Sequence, residues 1–204
     1  MIVVLGVDPG ALRLGWGLVA RDTDDQLLYL TSDIDGLRRE KRGSKLEPAQ
    51  EYARRLIEYY TDEFGATLDL LTQVAADRGC PFKVVFEQFP LGGGENFRSG
   101  SSQSDLTRIA ISVCHTLCVQ RGVEWETIPA TTIKLRLTGW GNATKAQVRD
   151  AVLRVFPELE PRKAELIGKG ADEADGLAVA IVGSGFRVAK AKESNPRKRP
   201  KKAK

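Results

Sequence analysis

The chain has 204 residues, 42% of them hydrophobic and 28% charged, enough for one domain with a sizeable core and typical of a globular protein. No apolar run approaches the ~18 residues of a membrane-spanning helix, and the apolar start lacks the basic flank of a secretory leader. Three cysteines without such a leader point to reduced thiols and a cytoplasmic location. The overall +4 charge is unevenly spread: residues 187–204 carry nine Lys or Arg and one acid, leaving the body with 22 basic and 26 acidic residues. A mildly acidic body with a strongly basic tail suits a polyanionic partner.

In chain order, residues 2–7 read as a buried strand, followed by strands over 14–21 and 27–34, an antiparallel meander. Gly10, Gly15 and Gly17 and the cluster Asp22-Thr23-Asp24-Asp25 read as turn chemistry. Residues 35–46 are polar and basic, an expected exposed loop. Helical spacing of Ala49, Tyr52, Ala53, Leu56, Tyr60, Phe64, Leu68, Leu71 and Ala75 predicts a long helix over 48–78, with Pro48 in its first turn and Gly65 as a bend. Gly79 and Pro81 end it, and residues 82–87 form the next strand.

The Gly- and Ser-rich segment 90–104 reads as a flexible loop. Residues 105–121 read as a helix apolar nearly all round, hence buried on more than one side, and a candidate dimer surface. A strand over 123–128 precedes helices near 130–137, 144–155 and 172–186; Asn142 or Thr144 caps the second of these. Beyond Lys190 no apolar periodicity remains, so residues 187–204 are expected to be a disordered basic tail on a domain spanning 1–186. Strand-helix-strand order implies parallel pairing, and the economical fold is α/β: a mixed five-stranded sheet with helices on both faces.

Four acids stand where acids are costly. Asp8 ends the run Ile2 to Val7, Glu87 ends Val84-Val85-Phe86, and Asp172 and Asp175 open the apolar stretch from Ala174 to Val182. Acids at the mouths of buried elements must be paired, protonated or bound to a cation, and no cluster of cations lies beside them in sequence. Asp8 and Glu87 can end neighbouring parallel strands, while Asp172 and Asp175, three apart, share a helix face. Two Mg²⁺ ions would balance four carboxylates, and an all-oxygen set without His or Cys suits a hard cation. Taken singly, Asp8 before Pro9-Gly10 is also an ordinary turn residue, and Asp172 an ordinary helix cap.

Gly6-Val7-Asp8-Pro9-Gly10 with Gly15-Trp16-Gly17 resembles the first strand and turn of the RuvC Holliday-junction resolvases. Phe86-Glu87-Gln88 resembles their second acidic motif, and Ala171-Asp172-Glu173-Ala174-Asp175-Gly176-Leu177-Ala178-Val179-Ala180 their C-terminal motif. The resemblance covers roughly residues 1–186. It implies a ribonuclease H-like fold, a homodimer, and Mg²⁺-dependent nicking of branched DNA in recombination and repair, with Mn²⁺ as a substitute metal. It also implies that Asp8, Glu87, Asp172 and Asp175 are the catalytic metal ligands, with Asp8 between the two ions. Lys134, in Ala130-Thr131-Thr132-Ile133-Lys134, and Lys145, in Ala143-Thr144-Lys145-Ala146-Gln147-Val148, match the family's lysines near the cleaved strand. Phe89 and Phe97 are the candidates for its base-stacking aromatic. The enlarged region between the third and fourth strands, the Gly-rich loop and the basic tail look more like phage members, and leave forks and flaps open as substrates beside four-way junctions.

Other readings compete. A non-catalytic branched-DNA binder could keep the fold, but gains nothing from acids beside phosphates. Asp8-Pro9-Gly10 also resembles a phosphate loop of actin-like or sugar-kinase ATPases, which need a second such domain that this length does not supply. Asp172-Glu173-Ala174-Asp175 spells a helicase motif without the phosphate loop a helicase requires. Cys114, His115 and Cys118 suggest zinc, but His115 points about 100° away from the cysteine face.

Overall fold

The computed structural model describes residues 1–10, 13–37, 41–42, 45–89 and 102–188. Strands β1 (Ile2–Pro9), β2 (Leu14–Arg21) and β3 (Leu27–Asp35) form the expected antiparallel meander. The β2–β3 reversal is held by Asp22, whose Oδ1 accepts from the backbone N–H groups of Asp24 and Gln26, the local bonding that favours Asp in turns. Within segment 35–46, β4 (Lys41–Arg42) and β5 (Lys45–Leu46) pair antiparallel. The expected loop therefore contains a short antiparallel strand pair.

Helix α1 (Ala49–Asp77) is followed by β6 (Phe82–Gln88), α2 (Ser102–Gln120), β7 (Glu124–Pro129), α3 (Ala130–Thr138), α4 (Lys145–Val155) and α5 (Ala171–Gly183). Pro48 lies just before α1 rather than in its first turn; its extended ψ of 142° makes it the cap. Helix α5 stops at Gly183, short of the expected 186, and two 3₁₀ turns, Pro157–Arg162 and Gly168–Gly170, precede it.

The sheet order is β3-β2-β1-β6-β7, with β6 parallel to both β1 and β7. Alternation along β1 sends Val3, Leu5 and Val7 to one face, against Tyr52, Leu56 and Leu68 of α1 and Ala110 and Cys114 of α2. Val4 of β1, Val19 of β2 and Val85 of β6 go to the other, against Val148 and Val152 of α4 and Leu177 and Ile181 of α5. The mixed five-stranded sheet with helices on both faces is thus as expected. Each such aliphatic side chain contributes about 1.5–3 kcal/mol by leaving water.

Helix α2 is less enclosed than its composition suggests. Leu106, Ala110, Cys114, Leu117 and Cys118 are buried, but Arg108, Ser112, Thr116 and Val119 form an exposed flank. The Thr116 hydroxyl on that flank donates to the Ser112 carbonyl at 2.7 Å. His115 stacks on Trp125, ring centroids 4.1 Å apart, and meets Phe86 edge-on at 4.6 Å. Its ring is thus packed among aromatics. Gly65 sits under the Arg121 guanidinium, 2.9 Å from where a Cβ would project; it admits the Arg121–Asp69 pair that ties α2 to α1.

Gly15 and Gly17 lie inside β2, not in turns. They and Gly6 open a seat for α5. A Cβ on Gly6 would fall 2.1 Å from the Ala180 nitrogen, and one on Gly15 would fall 1.9 Å from the Asp172 carbonyl oxygen. Gly176 answers from the helix, its hydrogen facing the Trp16 Cα at a virtual Cβ distance of 2.6 Å. Backbone therefore meets backbone, closer than the usual helix-on-sheet separation.

Candidate metal centre and nucleic-acid interface

Parallel register fixes two of the four acids. Val7 pairs with Phe86 on β1 and β6, so Asp8 and Glu87 follow side by side. Asp8 has the parity of Val4, and Glu87 that of Val85, so both carboxylates project toward the face covered by α5. Helix α5 brings the others in its first turns. Oxygens of Asp8, Asp172 and Asp175 all lie within 4.8 Å of one another. Glu87 stands outside this tight trio but within electrostatic reach of Asp8 and Asp175.

Asp8, Glu87 and Asp175 sit where burial penalises their charge. Burial, then the neighbouring Glu87 and Asp175, push the Asp8 carboxyl up to about 8. Burial and Asp175 raise Glu87, with Lys134 and Lys145 pulling against them. Burial also raises Asp175, although its bond to Lys145 opposes the rise. These shifts mark a desolvated surplus of negative charge, the condition a divalent cation relieves. Oxygens around one Mg²⁺ or Ca²⁺ ion lie roughly 3–5 Å apart, given metal–oxygen distances of about 2.0–2.6 Å; the observed spacing fits. Asp8, Asp172 and Asp175 could hold such an ion, with Glu87 beside them.

The absence of cations near these acids in sequence does not hold in space. Lys145 Nζ donates to Asp175 Oδ2 at 2.7 Å and Asp172 Oδ1 at 3.1 Å. Burial disfavours its charge, yet the bonds to Asp175 and Asp172 outweigh burial and raise its pKa. Lys145 opens α4, whose start is set by a capping box: Thr144 Oγ1 accepts from Gln147 N, and Gln147 Oε1 accepts from Thr144 N at 2.8 Å. Of the two caps considered, Thr144 is the one used. Lys134, on α3, lies within electrostatic reach of Glu87 and Asp175. Phe89 is half-buried just beyond β6. Phe97, most of the Gly-rich loop and tail residues 189–204 lie outside the described residues.

Two features escaped the sequence reading. Arg13 approaches Asp172 at 3.7 Å. Glu173, only 6% exposed at its side chain, accepts from Ser32 Oγ at 2.6 Å and from Arg162 Nη2 at 3.0 Å; Tyr29 and Ser32 share a further bond of 3.1 Å. This network pins the acid-bearing turn of α5 to edge strand β3. An acid on an otherwise apolar helix was its only sequence signal; Ser32 and Arg162 give none, lying 141 and 11 residues away.

A ribonuclease H-like sheet, with carboxylates ending two parallel strands and an acid-bearing helix docked over them, defines the class. No family model matches the chain. Individual proteins do. The crossover junction endodeoxyribonuclease RuvC of Gluconobacter oxydans is 30% identical over 191 residues, 94% of this chain and 95% of that protein. Its namesake from Leifsonia xyli is 29% identical over 186 residues, 88% of this chain and 72% of that protein. Among solved structures, Thermus thermophilus RuvC superposes with a TM-score of 0.58 at 20% identity, over 91% of this chain and 98% of that one. The same organism's RuvC in complex with Holliday junction substrate gives 0.62 at 21% identity, over 91% and 94%. The solved structures speak for the fold, and the sequence relatives for descent: the chain belongs to the RuvC family.

Proposed function

We propose that this chain is a structure-selective endodeoxyribonuclease that nicks four-way DNA junctions and related branched DNA by two-metal hydrolysis, acting as a cytoplasmic homodimer. The observation that carries the reading is the convergence of Asp8, Asp172 and Asp175 on one spot, with Glu87 alongside. In this reading the four would hold the metal ions, which would be Mg²⁺, with Mn²⁺ able to substitute. Bound there, they would supply a water of lowered pKa as nucleophile and charge stabilisation for the leaving 3′ oxygen. The chain's own part is to hold the carboxylates rigidly, keep the site partly dry and present phosphate donors at its rim. Lys134 and Lys145 position the scissile strand through its phosphates; Phe89 and Phe97 are the residues assigned to stacking on junction bases.

Residues 1–186 form the nuclease domain in this reading, and the basic tail 187–204 adds salt-sensitive, sequence-independent DNA affinity. A two-fold junction matches a two-fold dimer, with helix α2 as the pairing surface. The relatives named for crossover-junction cleavage, and the complex described with a Holliday junction, support the substrate assignment.

The test incubates labelled four-way junctions, forks, flaps and linear duplex with Mg²⁺ and either the native chain or Asp8→Asn. Paired nicks near the branch by the native chain alone are expected. No nicking by the native chain, or equal nicking by both, would remove the nuclease reading, and sedimentation as a monomer at micromolar concentration would remove the dimer.

A further inference from the structure

We propose that Trp140 is a stacking platform for an unpaired or unstacked nucleobase at the branch point, and so a substrate-shape determinant of this chain. The inference rests on the branched-DNA reading above. Trp140 is 48% exposed, whereas the other two tryptophans, Trp16 and Trp125, are half-buried. Its loop is rigidly built. Helix α3 ends in Gly139 at φ 82°, a left-handed conformation that favours glycine. Thr138 Oγ1 donates to the Lys134 carbonyl at 2.7 Å and accepts from Trp140 N at 3.1 Å. The Trp140 carbonyl in turn accepts from Ala143 N at 3.1 Å. The backbone beneath the indole is therefore fixed at several points, while the ring itself stays half in water.

The surroundings identify the ligand. This loop joins the helix bearing Lys134 to the helix that opens with Lys145, two of the cations at the acid cluster. Trp140 precedes Lys145 by five residues, which limits their Cα separation to about 17 Å. Residues 129–149 hold four basic side chains, Lys134, Arg136, Lys145 and Arg149, and no acid, in a body that is acidic overall. A basic stretch surrounding one rigidly presented aromatic ring is the composition that binds phosphates and stacks bases. Bases inside an intact duplex are already stacked and offer no free face; those at a branch do. The ring therefore serves branched DNA and not linear duplex.

The test uses the full chain in an Asp8→Asn background, so that binding is read without cleavage. Affinity for a four-way junction and for linear duplex of the same length is measured with Trp140 intact, Trp140→Ala and Trp140→Phe. Trp140→Ala should weaken junction binding by about 10-fold, leave duplex binding unchanged, and be largely rescued by Trp140→Phe. Junction should quench tryptophan fluorescence when Trp140 is intact, and far less in Trp140→Ala. If the parent prefers the junction and Trp140→Ala matches it, or loses both DNAs equally, the inference falls while the functional reading stands. If Trp140→Ala instead shifts the monomer–dimer equilibrium without DNA, the ring serves the protein interface and the inference falls as well. If the parent shows no junction preference, the functional reading and this inference fail together.

Discussion

Replacing Gly6 with alanine tests directly how the acids are brought together. The new Cβ would lie 2.1 Å from the Ala180 nitrogen and 2.5 Å from the Gly176 carbonyl oxygen. Ordinary contact begins at 3.4 Å, so β1 and α5 must separate by about 1.3 Å, since close-packed backbone has no flexible end to move aside. Overpacking of this kind costs roughly 2 kcal/mol, or about 4–8 °C in Tm for a chain of this size. The larger effect is on geometry. Asp8 rides on β1, whereas Asp172 and Asp175 ride on α5, and a displacement of ~1 Å between reacting groups costs on the order of 10²-fold in rate. Gly6→Ala should therefore stay folded by circular dichroism well below its Tm. Under those conditions it should lose roughly 100-fold in Mg²⁺-dependent junction nicking and bind Mn²⁺ more weakly by titration calorimetry. A folded variant with native nicking and native Mn²⁺ affinity would refute the reasoning, as would a loss that merely follows the fraction unfolded.

Three further outcomes are expected. With Asp8 pushed from 3.8 up to about 8, and Glu87 and Asp175 also raised, the metal-free folded chain holds more protons than the unfolded one. The stability this brings is full below the unfolded value and is lost as pH rises through about 8. Tm in EDTA should thus fall between roughly pH 5 and pH 8, while apparent Mn²⁺ affinity climbs over the same window; a flat Tm across it contradicts the assignment. Arg162→Ala strips a charged partner from buried Glu173, although the remaining Ser32 bond and the 38% exposure of Arg162 soften the loss. Urea unfolding should show a cost of about 2 kcal/mol, and adding Glu173→Gln should recover part of it; no cost would mean the network does not pin α5. Lys145→Gln should lower nicking by roughly 10²-fold and reduce the slope of log affinity against log salt by about one; an unchanged slope would take Lys145 off the DNA surface.

The sheet was legible because its strands are written as apolar runs between turn residues: β2 occupies the predicted Leu14 to Arg21. The acids were legible because each is a costly interruption of such a run. What pattern alone could not show is contact between distant segments. Gly15 and Gly17 look like turn residues in a sequence, because the α5 backbone that requires them arrives some 160 positions later. Lys145 looks like a surface charge until α4 folds it against Asp172 and Asp175. The exposed flank of α2 was hidden because Ser112 and Thr116 are small enough to pass within an apolar helix, the Thr116 hydroxyl bonding back to the helix itself. Trp140 carries no such mark, since nothing in the order of residues says whether an indole is covered.

The division of the four acids between the first half of the chain and α5 has a consequence during synthesis. Asp8 emerges first, Glu87 midway, and Asp172 and Asp175 only with α5, the helix that covers Val4, Val19 and Val85 of the sheet. A nascent or prematurely terminated chain carries half of the carboxylates and an uncovered apolar sheet face. Such a fragment should be insoluble and inert before it could be a nuclease. Completion of the polypeptide is in this sense the arming step, and broken copies of a DNA-cutting protein are disarmed by the order in which the chain is made.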